Sequence, residues 1–231
     1  MSEIRGVILS QTPMSPENFC STIATRGVGR ELIQARLLDP NGCQLRYADL
    51  SLDRRVASEQ WRRGRMVIMQ SAGDFPPRLT HPEDRRVIPS SIKLGDMLTD
   101  AQMQRVILGF TYDKIDELFR HVIVGLRNHK AYVNSARVPR SVGYVRCQSV
   151  KMERRYLRDD QPMELRATIT DSSGTKIDTA IKGCELMEML WSSQYNRIFK
   201  NVLARLALAN PMQNKKWHAD RCYVMLSDVI L

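Results

Sequence analysis

Two stretches of the chain alternate apolar and polar positions on either side of a turn, and both predict β-hairpins. Between Met163 and Lys182, Leu165, Ala167 and Ile169 alternate with Arg166, Thr168 and Thr170. Asp171-Ser172-Ser173-Gly174 intervenes, and Ile177, Thr179 and Ile181 then alternate with Lys176, Asp178 and Ala180. A three-residue loop closed by Gly174 in the left-handed region sets Ile169 opposite Ile177 and Leu165 opposite Ile181. Thr168 then faces Asp178 and Thr170 faces Lys176, and a slip of one residue would bring Ile169 against a charge. Glu31 to Asp49 has the same grammar. Ile33, Ala35 and Leu37 lead into Asp39-Pro40-Asn41-Gly42, Cys43, Leu45 and Tyr47 follow, and Leu37 is expected opposite Leu45.

Elsewhere the pattern predicts strands over Ile4 to Ser10 and Met66 to Gln70, one long strand within Arg137 to Arg158, and a terminal strand from Cys222 to Leu231. Ser15-Pro16-Glu17-Asn18 reads as a helix start, with a helix of two turns ending before Gly27. Thr99 and Gln102 form a capping box ahead of a helix to Leu108. Ile115, Leu118, Phe119, Val122 and Leu126 recur at threes and fours, which predicts an amphipathic helix over 114–127. Ile198, Phe199, Val202, Leu203 and Leu206 predict another over 194–209, capped by Ser193 and stopped by Asn210-Pro211, and Cys184 to Trp191 is helical in pattern. Residues 71–91 carry Gly73, Pro76, Pro77, Pro82 and Pro89 and read as an irregular excursion. The expected fold is therefore α+β: an antiparallel sheet built from the hairpins at 31–50 and 163–182, with the helices at 114–127 and 194–209 packed on it, in one domain over 1–231. Apart from the two like turns, no internal repeat is visible.

Composition adds three constraints. The chain has 231 residues, 43% hydrophobic and 26% charged, as ordered proteins do, but a net charge of +10. The five cysteines are scattered, odd in number and never spaced CxxC, which points to a reducing compartment, cytoplasm or nucleus. The first residues have too short an apolar core for a signal peptide, and no apolar run is long enough for a membrane span.

The candidate chemistry is thin. Gly27-Val28-Gly29 lacks the third glycine of a dinucleotide loop, since position 32 is Leu. His218 and Cys222 have the spacing of two metal ligands on a helical turn but no partner pair. Cys147 or Cys184 beside a histidine would make a nucleophile pair, and without a motif each reads as a packed thiol. Asp159-Asp160 followed by Glu164-Leu165-Arg166 is too tightly grouped for a nuclease site, and Tyr47-Ala48-Asp49-Leu50 fits a loose sorting pattern inside a strand. No cofactor or metal is expected, and no catalytic motif is present.

Charge is what remains. Arg54 to Arg65 carries net +4 and Arg137 to Arg158 net +6, together the whole net charge. The cations are Arg54, Arg55, Arg62, Arg63 and Arg65 in the first segment, and Arg137, Arg140, Arg146, Lys151, Arg154, Arg155 and Arg158 in the second. Trp61, Tyr144 and Tyr156 stand among them. Arginine interleaved with aromatics suits phosphates and exposed bases, so these residues, with Trp61 and Tyr144 as stacking rings, form the expected binding surface. The expected partner is RNA or a ribonucleoprotein, or an anionic membrane surface engaged peripherally, with a homo-oligomer as the working form. In general build, though not in any motif, the chain resembles small basic proteins of RNA viruses such as matrix or nucleocapsid-associated proteins. That resemblance implies a non-enzymatic assembly protein, in the virion among other places. A nucleic-acid-binding movement or regulatory protein is the alternative, and a nucleic-acid-processing enzyme without a recognisable motif a further one.

Overall fold

In the computed structural model the protein is described over residues 2–13, 17–26, 32–50, 59–73, 82–122, 130–134, 138, 140–155, 163–192, 196–209 and 221–231. The chain divides into two compact units, Met1–Arg78 with Glu83–Phe110 and Leu79–Pro82 with Thr111–Leu231.

The first unit opens with a meander of β1 (Glu3–Pro13), β2 (Asn18–Arg26) and β3 (Leu32–Leu38), in which Ile23 lies opposite Ile8 on one side and Ala35 on the other. After β3 the chain forms β4 (Leu45–Arg46), which pairs with β2, and β5 (Arg65–Gln70), which pairs with β1. β6 (Asp84–Arg86) runs parallel to β3, and β7 (Lys93–Met97) pairs with β5. Ser71 bridges Val87, and the Ile88 N–H donates to the Gln70 carbonyl at 3.0 Å, so the chain around β6 also meets that around β5. Inside, Phe19 stacks on Tyr47 at 4.7 Å and meets Trp61 edge-on at 5.9 Å. The Arg36 guanidinium grips the Asp84 carboxylate at 2.6 and 2.8 Å, which fastens β6 to β3. α1 (Asp100–Leu108) follows, with the Thr99–Gln102 capping box formed in both directions.

The second unit contains β8 (Thr111–Tyr112), α2 (Ile115–Phe119), β9 (Tyr132–Asn134) and the long β10 (Val142–Arg155). β11 (Glu164–Asp171), β12 (Lys176–Ile181), α3 (Cys184–Ser192), β13 (Arg197–Leu208) and β14 (Arg221–Ile230) complete it. β10, β11 and β12 form an antiparallel meander, β13 returns antiparallel on the other side of β10, and β14 lies between β13 and β12, parallel to β12. Because β10 pairs with both β11 and β13, the five strands close into a barrel. Val145, Val150, Ala167, Ile169, Leu206 and Leu226 fill it, and Leu186 and Leu190 of α3 pack against the same core.

Numbered along the chain, the five barrel strands of the second unit run first, second, third, fifth, fourth, with third and fifth parallel and a helix joining third to fourth, and in the seven-stranded sheet of the first unit β6 likewise runs parallel to β3. This is the Greek-key connectivity of the oligonucleotide- and oligosaccharide-binding (OB) fold. A shared irregularity reinforces the likeness. Leu9 is an extra residue in β1 against β2, and Gln148 is an extra residue in β10 against β11, so each first strand carries a bulge at its junction with the second.

The expected α+β arrangement is thus overturned by a mostly β molecule, a closed barrel and a second large sheet, with short helices. Residues 197–208 of the expected helix at 194–209 form the strand β13. Phe199 and Val202 both meet the core although three residues apart, because Asn201 adopts φ 54° and shifts the phase of the strand, level with the bulge at Gln148. That slip imitates a helix face; from Val202 onward Ala204, Leu206 and Leu208 face the core in strict alternation. The helix expected after Pro16 is β2, where Phe19, Thr22, Ile23 and Thr25 favour the pleated surface between two neighbouring strands. The helix over 114–127 is α2 alone as far as Phe119, and Arg120 and His121 leave it at φ 50° and 54°; residues 123–127 lie outside the described residues.

Both turns form with the same bonds. Gly174 and Gly42 take φ 88° and 80°, their N–H groups donate to Asp171 and Asp39 carbonyls, and Ile169 faces Ile177 as expected. The earlier hairpin departs beyond its turn. Leu38 bridges Gln44, but Leu45 then pairs with Phe19 of β2.

Candidate nucleic-acid interface

The two basic segments fall in different units. Arg54, Arg55, Arg137 and Arg158 lie outside the described residues, as do Tyr156, His218, Asp159, Asp160 and the Gly27-Val28-Gly29 stretch. Arg62 and Arg63 are exposed, and Arg65 donates to the Gly95 carbonyl at 3.0 Å. The two rings expected to stack on bases are core residues instead. Trp61 is 0% exposed, with its indole N–H donated to Ser21 Oγ at 2.8 Å, and Tyr144 is 0% exposed beside the buried Arg205 guanidinium. Both occupy inward or covered positions of strands or their approaches, where the hydrophobic payload of a large ring outweighs any surface role.

In the second unit the cations are largely engaged. Residues 164, 166, 168 and 170 of β11 point away from the core that Leu165, Ala167 and Ile169 line, and across the pair Thr168–Asp178 the outward side continues on β12. On that outward side the Arg166 guanidinium, itself fully buried, donates to Asp178 at 2.9 Å and to Glu164 at 3.2 Å. Arg155 bonds Asp178 at 2.6 Å and Glu153; Lys151 reaches Glu153 at 2.7 Å; Lys130 reaches Glu164 at 3.1 Å. Four cations therefore interlock with three carboxylates. Burial is the largest influence on Glu153 and acts to raise its pKa, but hydrogen bonds from Lys151 and Arg155 outweigh it and hold the carboxyl below the usual glutamate range. Glu164 is lowered in the same way, against burial, by Lys130 and Arg166.

The remaining predicted cations are placed by neighbours of their own. Arg154 donates to the last carbonyls of α3, at Leu190 and Trp191, and its guanidinium lies 5.4 Å from the Trp191 ring centre, so it caps the negative end of that helix. Arg146 pairs with Asp113 at 3.0 Å on the surface, and the exposed Arg140 lies over Tyr112 at 5.2 Å.

A second cluster lies on the same outward side, and charge counting along the sequence missed it. Cys222, Val224 and Leu226 face the core, so Arg221, Tyr223 and Met225 face out; Tyr223 pairs with Tyr132 of β9 in register. Their rings lie 6.0 Å apart, and the Arg221 guanidinium stacks over Tyr132 at 4.5 Å. The Ala131 N–H donates to the Asp178 carbonyl at 2.7 Å and the Val224 N–H to the Ala131 carbonyl at 2.9 Å, so the chain entering β9 lies between β12 and β14 and brings Tyr132 beside the strand that carries the ion-pair network. The signal was available in the alternation of the terminal strand, which assigns Arg221 and Tyr223 to the side opposite Cys222; Tyr132, far away in sequence, is brought in by β9. Half-buried rings with a guanidinium on them offer flat faces and a fixed positive charge together, the chemistry that holds a base and its phosphate.

The closed five-stranded barrel of the second unit thus carries an arginine–tyrosine cluster on its outward side. No family model and no curated protein matches the chain. Among the described residues no helix is long and apolar enough to cross a membrane, and no group of three His, Cys, Asp or Glu could hold a metal ion.

Proposed function

We propose that the protein is a non-enzymatic binder of single-stranded nucleic acid, RNA foremost, whose strand lies across the outward face of the barrel in the second unit. The observation that carries this reading is the Arg221–Tyr132–Tyr223 cluster on an OB-type barrel, a fold whose second and third strands and flanking loops offer an oligonucleotide face. Fold alone assigns no function, so the weight rests on the cluster. Tyr223 and Tyr132 stack on bases, Arg221 meets a phosphate, and the interlocked cations beside them supply a weakly positive, rigid floor. In sequence, the connection from β10 to β11 carries Tyr156 and Arg158, and that from β13 to β14 carries Lys215, Lys216 and Trp217, all outside the described residues. The scattered, odd-numbered cysteines of the sequence support a reducing compartment, cytoplasm or nucleus, for this role.

The test is retention of oligo-U and oligo-dT across a salt series, with anionic vesicles as a separate arm. Tyr223→Ala lowers affinity by about 1–3 kcal/mol at every salt concentration, as loss of one stacked base does. Arg221→Gln instead flattens the dependence of log K on log salt by about 0.7, the single-strand value for one phosphate contact. Folded Tyr223→Ala protein that binds strands as the parent does would overturn the proposal, and vesicle binding without strand binding would replace it with a membrane role.

A further inference from the structure

In the second unit β13 overhangs the strand that closes the barrel beside it. It pairs with β10 from Arg197 onward, whereas its pairing with β14 begins only at Leu203, opposite Ile230. Residues 197–202 are therefore a sheet edge, and among the described residues no strand, bridge or backbone bond meets their open side. Over this run, roughly 20 Å of strand, alternate residues turn their N–H and C=O groups to that side. Arg197, Ile198, Lys200 and Asn201 are exposed, Ile198 at 60%. Phe199 packs against the core, which puts Ile198 and Lys200 on the outward side of the strand.

The backbone and the side chains of this edge select what fits it. A row of main-chain donors and acceptors at strand spacing is the complement of another extended peptide. Nucleic-acid bases need rings to stack on, and the aromatic ring of this run, Phe199, is turned to the core. Charge narrows the choice of peptide. Among the described residues neither Arg197 nor Lys200 is held by a carboxylate, a hydrogen bond or a ring, whereas Lys151, opposite Ile198 on β10, is already engaged by Glu153 at 2.7 Å. A second copy of the same edge would set these cations against their like, which opposes self-pairing. We infer that the open edge of β13 takes up an extended acidic segment of a partner protein as an added strand, with carboxylates beside Lys200 and Arg197 and an apolar side chain beside Ile198. The inference rests on this edge alone and is independent of nucleic-acid binding by the Arg221–Tyr132–Tyr223 cluster.

The probe is a fluorescein-labelled synthetic peptide of about eight residues repeating Val-Val-Glu-Glu, so that each side of the extended chain alternates apolar and acidic residues. Three comparators accompany it: the same peptide with Lys for every Glu, the same peptide N-methylated at every amide to remove its main-chain donors, and oligo-dT. The acidic peptide is expected to bind saturably and to slow amide hydrogen exchange within residues 197–202, and the two altered peptides to bind much more weakly. Arg197→Glu with Lys200→Glu, both at exposed positions, is expected to weaken it about tenfold or more, as like-charge juxtaposition does. Melting temperature reports folding, and Lys200→Gln carries the same test should the reversal perturb it. Oligo-dT binding stays at the parent level in these variants. No saturable binding of the acidic peptide, equal binding of the lysine or N-methylated peptide, or unchanged exchange within 197–202 overturns the inference. Loss of oligo-dT binding in the Arg197/Lys200 variant with peptide binding intact overturns it too, and gives the edge to nucleic acid. A protein dimer abolished by Ile198→Asp, with no peptide bound, overturns it in favour of a second copy.

Discussion

Gly183 and Ser227 meet backbone to backbone: a Cβ on Gly183 would stand 2.0 Å from the Ser227 carbonyl oxygen and 2.8 Å from its carbonyl carbon. Here the chain leaves β12 alongside β14 and turns into α3, whose Met187 N–H donates to the Gly183 carbonyl at 2.9 Å. Nothing flexible can yield, since the obstructing atoms are main chain. Gly183→Ala is therefore expected to destabilise by about 3 kcal/mol or more, in the upper range of overpacking effects. Gly174 provides the contrast, because no atom lies within 4 Å of its would-be Cβ but its φ is 88°. Gly174→Asn is expected to be mild and Gly174→Val to cost about 1–3 kcal/mol, the cost of a β-branched residue in the left-handed region. Urea denaturation of the three variants gives the order, and a harmless Gly183→Ala would remove the close approach.

Trp61 joins the core through both its ring and its N–H, so its loss should appear as stability rather than as affinity. Trp61→Ala is expected to cost about 3–5 kcal/mol, the usual cost of emptying a large aromatic site. Ser21→Ala, which leaves the indole N–H without its acceptor at 2.8 Å, is expected to cost about 1–3 kcal/mol. Chemical denaturation with oligonucleotide binding measured on the folded fraction separates the two readouts. Weakened binding at unchanged stability would restore Trp61 to the surface.

Burial pushes the thiol of Cys147 up to about 12 and that of Cys222 up to about 11. At pH 8 neither carries appreciable thiolate, the reactive form. Brief maleimide labelling followed by peptide mapping is expected to mark the exposed Cys43 and to spare Cys147 and Cys222 until denaturant is added. Native labelling of Cys222 at the rate of Cys43 would contradict its inward placement on β14.

The acid limb of stability should report the ion-pair network. Glu153 and Glu164 have folded pKa values below the ordinary glutamate value, because their lysine and arginine partners outweigh the burial that acts to raise them. A carboxyl so lowered contributes stability that is present above its unfolded pKa, about 4.3, and lost as pH falls through the folded value. The melting temperature of the parent is thus expected to fall from about pH 5 toward about pH 3, and that of Glu153→Gln to start lower and fall less steeply. Parallel curves for the two proteins would show that the network is solvated and uncoupled.

What the sequence determined by itself was local. The register of the hairpin at 163–182, the positive φ of Gly42 and Gly174, and the Thr99–Gln102 capping box follow from a few neighbouring residues whose backbone bonds have no competing partner, and each formed as read. Tertiary structure decided the rest. β13 reads as a helix until Asn201 and Gln148 slip phase together, a feature that exists only when β10 and β13 lie side by side. Barrel closure depends on β12 running parallel to β14, a pairing between strands separated by α3 and β13 that no window of sequence contains. The same holds for the charges. Arg155 and Arg166 converge on Asp178 only across three strands, so a count along the chain showed a basic run where the folded surface holds an interlocked network, and it passed over Arg221, Tyr223 and Tyr132, which only β9 and β14 bring together. Local interactions fix turns and caps because their partners are adjacent in the chain; burial and side-chain pairing between distant strands are settled by which surfaces the closed barrel covers.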